Sequence, residues 1–241
     1  MNTQIPRLHG KTSSGIGPLG ATLAGEGTHM MDLDAALALT QNVTSASMCD
    51  AMAKVRGHRT HATGLICARP GTVSAGFAAT VRFGPRRDDL PVHDLASAAG
   101  HALGDVPDDA ILILAAPDDP REALAGGKKL AAVEELGYAG VIAWGAIRDR
   151  EEAAGYEMGV WALHETPRAS GDLLQIIDVG VSVSFGGVTI VPGDWVHIDA
   201  AGLVVVPAAD RDAVLEAAVI IEDADATAVT EIRRRGRQAR E

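Results

Sequence analysis

Between positions 31 and 41 the apolar residues recur at helical spacing, with Leu33, Ala36 and Leu37 on one face. Thr44 or Ser45 can cap a second helix that runs to Lys54 and ends near Gly57. The period then shortens. Residues 64–68 and 73–83 read as strands, split by the Pro70-Gly71 turn. Helical spacing returns over 91–103, where Leu95, Ala99 and Leu103 fall at i, i+4 and i+8. An apolar run of strand length follows at 110–115, after the Pro107-Asp108-Asp109 turn.

Gly126-Gly127 opens the next helix, which closes at Gly137. A short apolar strand at 140–143 ends in a glycine turn that carries Arg148 and Asp149. Residues 160–163 form another short strand, followed by the loop Thr166-Pro167-Arg168. From there the period is two: Val181, Val183 and Phe185 alternate with Ser182 and Ser184. Gly186-Gly187, Pro192-Gly193-Asp194 and Ala201-Gly202 punctuate runs at 188–191, 195–199 and 203–206. This predicts an antiparallel meander. From Ala208 onward the pattern is helical again, with Val214, Ala218, Ile221, Ala228 and Ile232 near one stripe. Its end, from Arg233 to Arg240, is basic, as suits a helix C-terminus.

The order of elements predicts one α/β domain with two sheet layers and helices, not a doubly wound sheet. Residues 1–30 are rich in Gly, Thr and Ser without a period and read as a flexible N-terminal extension. Residues 31–207 form the domain, and 208–241 a C-terminal helix with a basic tail.

Composition narrows the function. The chain is 47% hydrophobic but only 3% aromatic, so the core is built from Ala, Val, Leu and Ile. A formal charge of −11 argues against a nucleic-acid surface, which would rest on Lys and Arg. No apolar run approaches the ~20 residues of a membrane helix. Cys49 and Cys67 have no ligand-like spacing, and no signal peptide is visible; both point to a reducing cytoplasm.

Candidate chemistry collects at 126–152. The N-terminus of the helix opened by Gly126 and Gly127 offers free N–H groups at Gly127, Lys128 and Lys129, a seat for a carboxylate or phosphate. Arg148 can clamp an anion and Asp149 can hold a hard metal ion. Taken alone, a glycine pair is common turn punctuation and an Arg-Asp pair is more often a solvated ion pair. His58 and His61 lack a third ligand at metal spacing, His164 and Glu165 precede the Thr-Pro-Arg loop and read as surface residues rather than cleft residues, and Cys49 reads as a packed residue.

Several stretches occur together in a recognisable order: Thr44 to Ala51, Gly126 to Asp149, Thr166-Pro167-Arg168, Ser184 to Thr189, Pro192-Gly193-Asp194 and Asp199 to Pro207. Over roughly three quarters of the chain they resemble the family of the regulator of ribonuclease activity A and its relatives, the 4-hydroxy-4-methyl-2-oxoglutarate / 4-carboxy-4-hydroxy-2-oxoadipate aldolases. The resemblance implies a three-layer β/β/α sandwich of the swivelling-domain type with flanking N- and C-terminal helices. It also implies a homotrimer or hexamer with the active site between subunits, and Mg²⁺ or Mn²⁺ to polarise a pyruvate-type 2-oxo acid. Arg148 and Asp149 match the end of the aldolase signature, and Glu152 an acidic position just after it. Arg148 and Lys128 are then the catalytic candidates, Gly126, Gly127, Lys128, Lys129 and Arg148 the substrate-binding ones, and Asp149 and Glu152 the metal ones.

Two positions depart from the pattern. Gly127 stands where the aldolases have the Asp that positions the water handling the proton, and Trp144 where many members have an Asp. The expected function is a divalent-metal lyase, an aldolase or decarboxylase acting through a pyruvate enolate. The alternative is a non-catalytic binding protein like the ribonuclease E inhibitor branch; Asp149 argues against it and Gly127 for it. A Schiff-base aldolase using Lys128 or Lys129 ranks last, because a catalytic Lys is usually buried.

Overall fold

The computed structural model describes residues 31–238 and 240, apart from 105, 108 and 118–121. The extension expected over 1–30 lies outside the described residues. The chain runs through α1 (Leu33–Thr40), α2 (Ser45–Arg56), β1 (His61–Ala62), β2 (Ile66–Cys67), β3 (Ser74–Pro85), α3 (Leu95–Leu103) and β4 (Ile111–Ala115). It continues through β5 (Ala123–Ala125), α4 (Gly127–Glu134), β6 (Gly140–Ile147), α5 (Arg150–Ala153), β7 (Gly159–Glu165) and β8 (Leu174–Val179). The last elements are β9 (Val183–Phe185), β10 (Val188–Ile190), β11 (Trp195–Asp199), β12 (Gly202–Val206) and α6 (Arg211–Gln238).

The long strand β3 belongs to two sheets. Its first residues, Ser74 to Phe77, pair antiparallel with β11. From Ala78 to Arg82 it pairs parallel with β4, and its end pairs antiparallel with β8. It therefore joins an antiparallel sheet, β1-β12-β11-β3, to a largely parallel one, β3-β4-β6-β7, with β2, β5 and β8 at its margins. The two sheets face each other, and the period-two alternation of each strand divides its side chains between two cores. On β12, Leu203 and Val205 enter the core between the sheets, while Val204 and Val206 pack beneath α1, α2 and α6. On β4, Ile111 and Ile113 enter the same inter-sheet core, while Leu112 and Leu114 pack under α3 and α4. A strand buried on both faces reads as an unbroken apolar run, which is why 110–115 shows no alternation. The result is the expected β/β/α sandwich, with the N- and C-terminal helices added on the outer face of the antiparallel sheet.

The structure corrects the expected meander. Gly186 (φ 53°) and Gly187 (φ 82°) do turn β9 into β10, but among the described residues that hairpin pairs only with itself. β10 does not continue into β11. Pro192 offers no N–H, and the Val191–Asp194 turn places Asp194 O to accept from Ala78 N at 2.8 Å. That contact carries the chain across to β3, and β11 and β12 form a second, separate hairpin. Helix α3 starts at Leu95 rather than 91, because the Asp94 carboxylate caps it by accepting from Ser97 N at 3.2 Å. Strands β1, β5 and β8 had no clean period of two to announce them.

His197 on β11 is fully buried, and neither ring nitrogen has a partner among the described residues. Burial pushes its pKa down to about 4, against a smaller upward pull from Asp199. The folded state thus binds this proton less readily than the unfolded chain. The sign follows: stability is complete above pH ~6.5 and falls as pH drops toward 4, by roughly 3 kcal/mol in all. Denaturant melts between pH 7 and 4 should show His197→Leu losing distinctly less stability on acidification than the native chain. Parallel loss in both would mean that other groups carry the acid sensitivity.

Candidate active site at the start of α4

The C-terminal ends of parallel strands β5 and β6 meet at this site. Arg148 N donates to Ala125 O at 3.1 Å, and Thr166 N donates to Ile147 O at 2.9 Å, so three segments are held together where β6 ends. Asp149 follows with φ 61°, a left-handed conformation that starts α5 and turns its carboxylate back toward α4. There Asp149 Oδ2 accepts from Gly127 N at 3.0 Å and lies 3.4 Å from Arg148 Nε. Gly126, Gly127, Arg148 and Asp149 are therefore brought together as the sequence suggested. A Cβ on Gly126 would lie 2.8 Å from Arg148 Nε and 3.0 Å from Asp149 Oδ2, so a side chain there would displace the pair. Of the N–H groups expected at the anion seat, that of Gly127 is taken by Asp149, and that of Lys129 donates to Gly126 O at 2.9 Å.

The space left by the Gly127 departure is occupied. A Cβ on Gly127 would lie 2.7 Å from both Cδ and Oε1 of Glu152, and its nearest neighbour would be Glu152 Oε2. The Glu152 carboxylate thus stands against the first residue of α4, where an Asp side chain at 127 would begin. Tyr156 holds this arrangement: its hydroxyl lies 3.0 Å from Glu152 Oε1 and 3.0 Å from Gly127 O. Burial, and then the hydrogen bond to Glu152, push the Tyr156 pKa up to about 12, so the phenol remains a donor at ordinary pH.

The two lysines part company. Lys128 is exposed, while Lys129 is half-buried and hydrogen-bonds through Nζ to Ser170 Oγ. Burial holds Lys129 below the ordinary ammonium range, against Asp94, and Arg148 adds to the lowering. Together with Gly126 and Arg148 they line a cleft of about 100 Å³. Lys129 and Ser170 also line a neighbouring cavity of about 350 Å³, whose wall includes Arg86, His93, Asp94 and Gln175. The wall between 170 and 174 is built on Glu122. This fully buried carboxylate accepts from the backbone N–H of Gly171, Asp172, Leu173 and Leu174 at 2.7–3.2 Å. Burial pushes its pKa up, but the four donors outweigh it and leave the carboxyl below its usual range.

Glu122, Tyr156 and Ser170 were not visible as site residues in the sequence. Trp144 is a packing residue. It stacks on Phe185 with centroids 4.8 Å apart, and a Cβ on Gly186 would strike its ring. His164 lines a cavity beside Arg150, and Glu165 lines both that cavity and an open one of about 460 Å³ shared with Arg148 and Asp149; its Oε1 accepts from Arg150 N at 3.1 Å.

Among the described residues no group of three His, Cys, Asp or Glu side chains forms a cage for a metal ion. Asp149, with 44% of its side chain exposed, is a single open carboxylate. That donor set suits a hard ion of the Mg²⁺ type, which keeps several waters and takes one or two protein carboxylates. It would not suit a structural zinc site.

A two-sheet sandwich carrying an Arg-Asp pair opposite a Gly-Gly helix start is the architecture the sequence resemblance implied. The profile of the RraA-like family, described as Aldolase/RraA, matches residues 45–205, and the chain belongs to that family. A Xanthomonas campestris pv. campestris (strain 8004) protein named "Putative 4-hydroxy-4-methyl-2-oxoglutarate aldolase" is 37% identical over 134 residues, 56% of this chain and 75% of the relative. A protein of the same name from Halorhodospira halophila is 31% identical over 168 residues, 67% of this chain and 93% of its own. The fold is shared with Streptomyces coelicolor RraAS2, described as an unusual member of the RNase ES inhibitor RraA protein family. That structure has a TM-score of 0.74 and 24% identity, covering 83% of this chain and 98% of that one.

Proposed function

We propose that this chain is a carbon–carbon lyase that releases pyruvate from a 2-oxo acid with the help of Mg²⁺ or Mn²⁺. The observation that carries the reading is the Glu152 carboxylate, which fills the place left empty by Gly127 and is fixed there by Tyr156. An acid is thus present at the start of α4 although the family's Asp is not.

In this reading the 2-oxo acid lies in the cleft between Arg148 and α4. A divalent ion on Asp149 would act there as a Lewis acid toward the 2-oxo group. The Arg148 guanidinium, fixed beside Asp149 and the β5–α4 turn, holds the oxygen on which negative charge accumulates as the enolate forms. The Lys128 N–H and the Lys128 side chain face the substrate carboxylate from the helix start. Glu152 Oε2 takes the proton of the substrate's 4-hydroxyl as the carbon–carbon bond beside it breaks, and returns it to the terminal carbon of the enolate to give pyruvate. The departing half of the substrate extends past Lys129 and Ser170 into the larger cavity, whose cations Arg86 and Lys129 suit a second acidic group.

Arg148 and Asp149 keep 42% and 44% of their side chains exposed, which leaves the cleft open on one side. A ligand site normally encloses most of its ligand. That openness supports a homotrimer or hexamer in which a neighbouring subunit closes the cleft. The test is pyruvate release from a panel of 4-hydroxy-2-oxo acids and oxaloacetate, with Mg²⁺ or Mn²⁺ and with EDTA. Metal-stimulated release is expected from at least one. No turnover on any of them would leave the binding-protein reading in possession of the site.

A further inference from the structure

Strand β8 carries a polar residue inside an apolar run. Leu174 and Ile176 are buried, and between them Gln175 is only 6% exposed. Its place is fixed from two sides. It pairs with Gly84 on β3, and Leu174 N just ahead of it donates to the buried Glu122 carboxylate at 2.7 Å. Neither Nε2 nor Oε1 of Gln175 has a hydrogen-bond partner among the described residues. A buried amide left unpaired is destabilising, and a Met or Leu of similar size would not carry that cost. The indole nitrogens of Trp161 and Trp195 are also unpartnered, but those rings lie in the packed cores. Gln175 stands instead in the wall of the cavity of about 350 Å³ that shares Lys129 and Ser170 with the cleft at Arg148.

The other polar groups of that wall are matched to an anion. Arg86 Nη1 donates to Gly171 O, which holds the guanidinium against the loop. Lys129 Nζ is tied to Ser170 Oγ, and His93 lines the same cavity. The carboxylate of Asp94 is already engaged in capping α3. A carboxylate entering the cavity pairs with Arg86 and Lys129 and accepts from Gln175 Nε2, but it has no proton for Gln175 Oε1. That oxygen needs an O–H or N–H donor. An α-hydroxy acid carries a hydroxyl donor and a carboxylate acceptor on adjacent carbons, so it meets both ends of the amide at once. The terminal torsion of Gln is broad, which lets the amide turn to them.

We propose that Gln175 is a specificity-determining residue that reads an α-hydroxy acid at the far end of the departing half. The substrate class is then a 4-hydroxy-2-oxo diacid with a further hydroxyl beside its distal carboxylate. The assignment rests on the lyase reading of the cleft. The bond between C3 and C4 breaks, the 4-hydroxyl proton passes through Glu152 to C3, and the products are pyruvate and a 2-hydroxy-3-oxo acid. The cavity is of the size that ligand sites have, ~300–1,000 Å³, and is larger than a lone carboxylate fills.

The test is pyruvate release with Mg²⁺ from three substrates, each as mixed epimers. They are 4,5-dihydroxy-2-oxoadipate, 4-hydroxy-2-oxoadipate, which lacks only the 5-hydroxyl, and 4-hydroxy-2-oxopentanoate, which lacks the distal acid as well. The native chain should prefer the first over the second by ~10-fold or more in kcat/KM. In Gln175→Met and Gln175→Leu that ratio should fall to near unity, with no drop in melting temperature. The ratio is read within one preparation, and a merely structural role for Gln175 would lower both rates together and leave it unmoved. Gln175→Glu sets a carboxylate against the distal acid, so both diacids should fall relative to 4-hydroxy-2-oxopentanoate. A native ratio near unity, or one that survives Gln175→Met, overturns the proposal and leaves the lyase reading standing. Pyruvate release from none of the three overturns both.

Discussion

Glu152→Gln is expected to lower pyruvate-forming turnover by ~10²–10⁴-fold, the usual worth of a positioned proton-transfer group. The amide keeps the shape and can still accept from the Tyr156 hydroxyl, so the fold and KM should change little. A fall in kcat at nearly constant KM identifies an interaction made in the transition state rather than uniform binding. The companion experiment moves the acid back to the family's position. Gly127→Asp alone should be harmful, because its Cβ would come within 2.7 Å of Glu152 Cδ and force that carboxylate away from Tyr156. Removing the obstacle in Gly127→Asp/Glu152→Ala should recover at least ten times the turnover of Glu152→Ala alone, a small part of the ~10²–10⁴ at stake. If Glu152→Gln turns over like the native chain, the proton is handled elsewhere. If Gly127→Asp alone is faster than native, the two carboxylates do not share one place, and the reading of Gly127 is wrong.

Much of the architecture could be read from spacing because each core strand carries its own instruction. Leu203 to Val206 is apolar at every position, and the strand is buried on both faces, one against the second sheet and one against α2 and α6. What spacing could not show is where a strand leaves one sheet for another. β3 reads as a single apolar run, yet it pairs with β11 along its first residues and with β8 at its end, a division set by long-range partners. The same limit applies to the site. Arg148 and Asp149 were legible because they are adjacent in sequence and follow a strand. Glu122 was not, since its purpose becomes visible only when a segment some fifty residues later wraps four N–H groups around it. The placement of Glu152 was hidden for another reason. A glycine in place of an acid looks like a loss until the side chain that fills the vacated space can be seen.

The second large effect is expected at Arg148. Its backbone is tied to Ala125 and its Nε sits beside the Asp149 carboxylate, so the guanidinium is oriented before substrate arrives. A lysine would keep the charge but lose the planar fork, which makes this substitution far from conservative where an oxyanion is held from two directions. Arg148→Lys should therefore cost roughly 10²–10³-fold in kcat, the penalty typical of removing one donor to a developing oxyanion. Asp149→Asn separates the clamp from the metal. It keeps the size and leaves an oxygen to accept from Gly127 N, but it removes the negative charge that a hard cation requires. Its expected signature is lost Mn²⁺ binding by calorimetry or paramagnetic relaxation, together with lost metal stimulation, while Arg148→Lys still binds Mn²⁺. Melting temperatures should move little in either variant, because both side chains are more than a third exposed and such surface changes usually stay within about 0.5 kcal/mol. If Asp149→Asn bound Mn²⁺ as tightly as the native chain, the ion would have to sit on other residues. If Arg148→Lys kept full turnover, the charge that builds on the substrate would be held by something other than the residue at the end of β6.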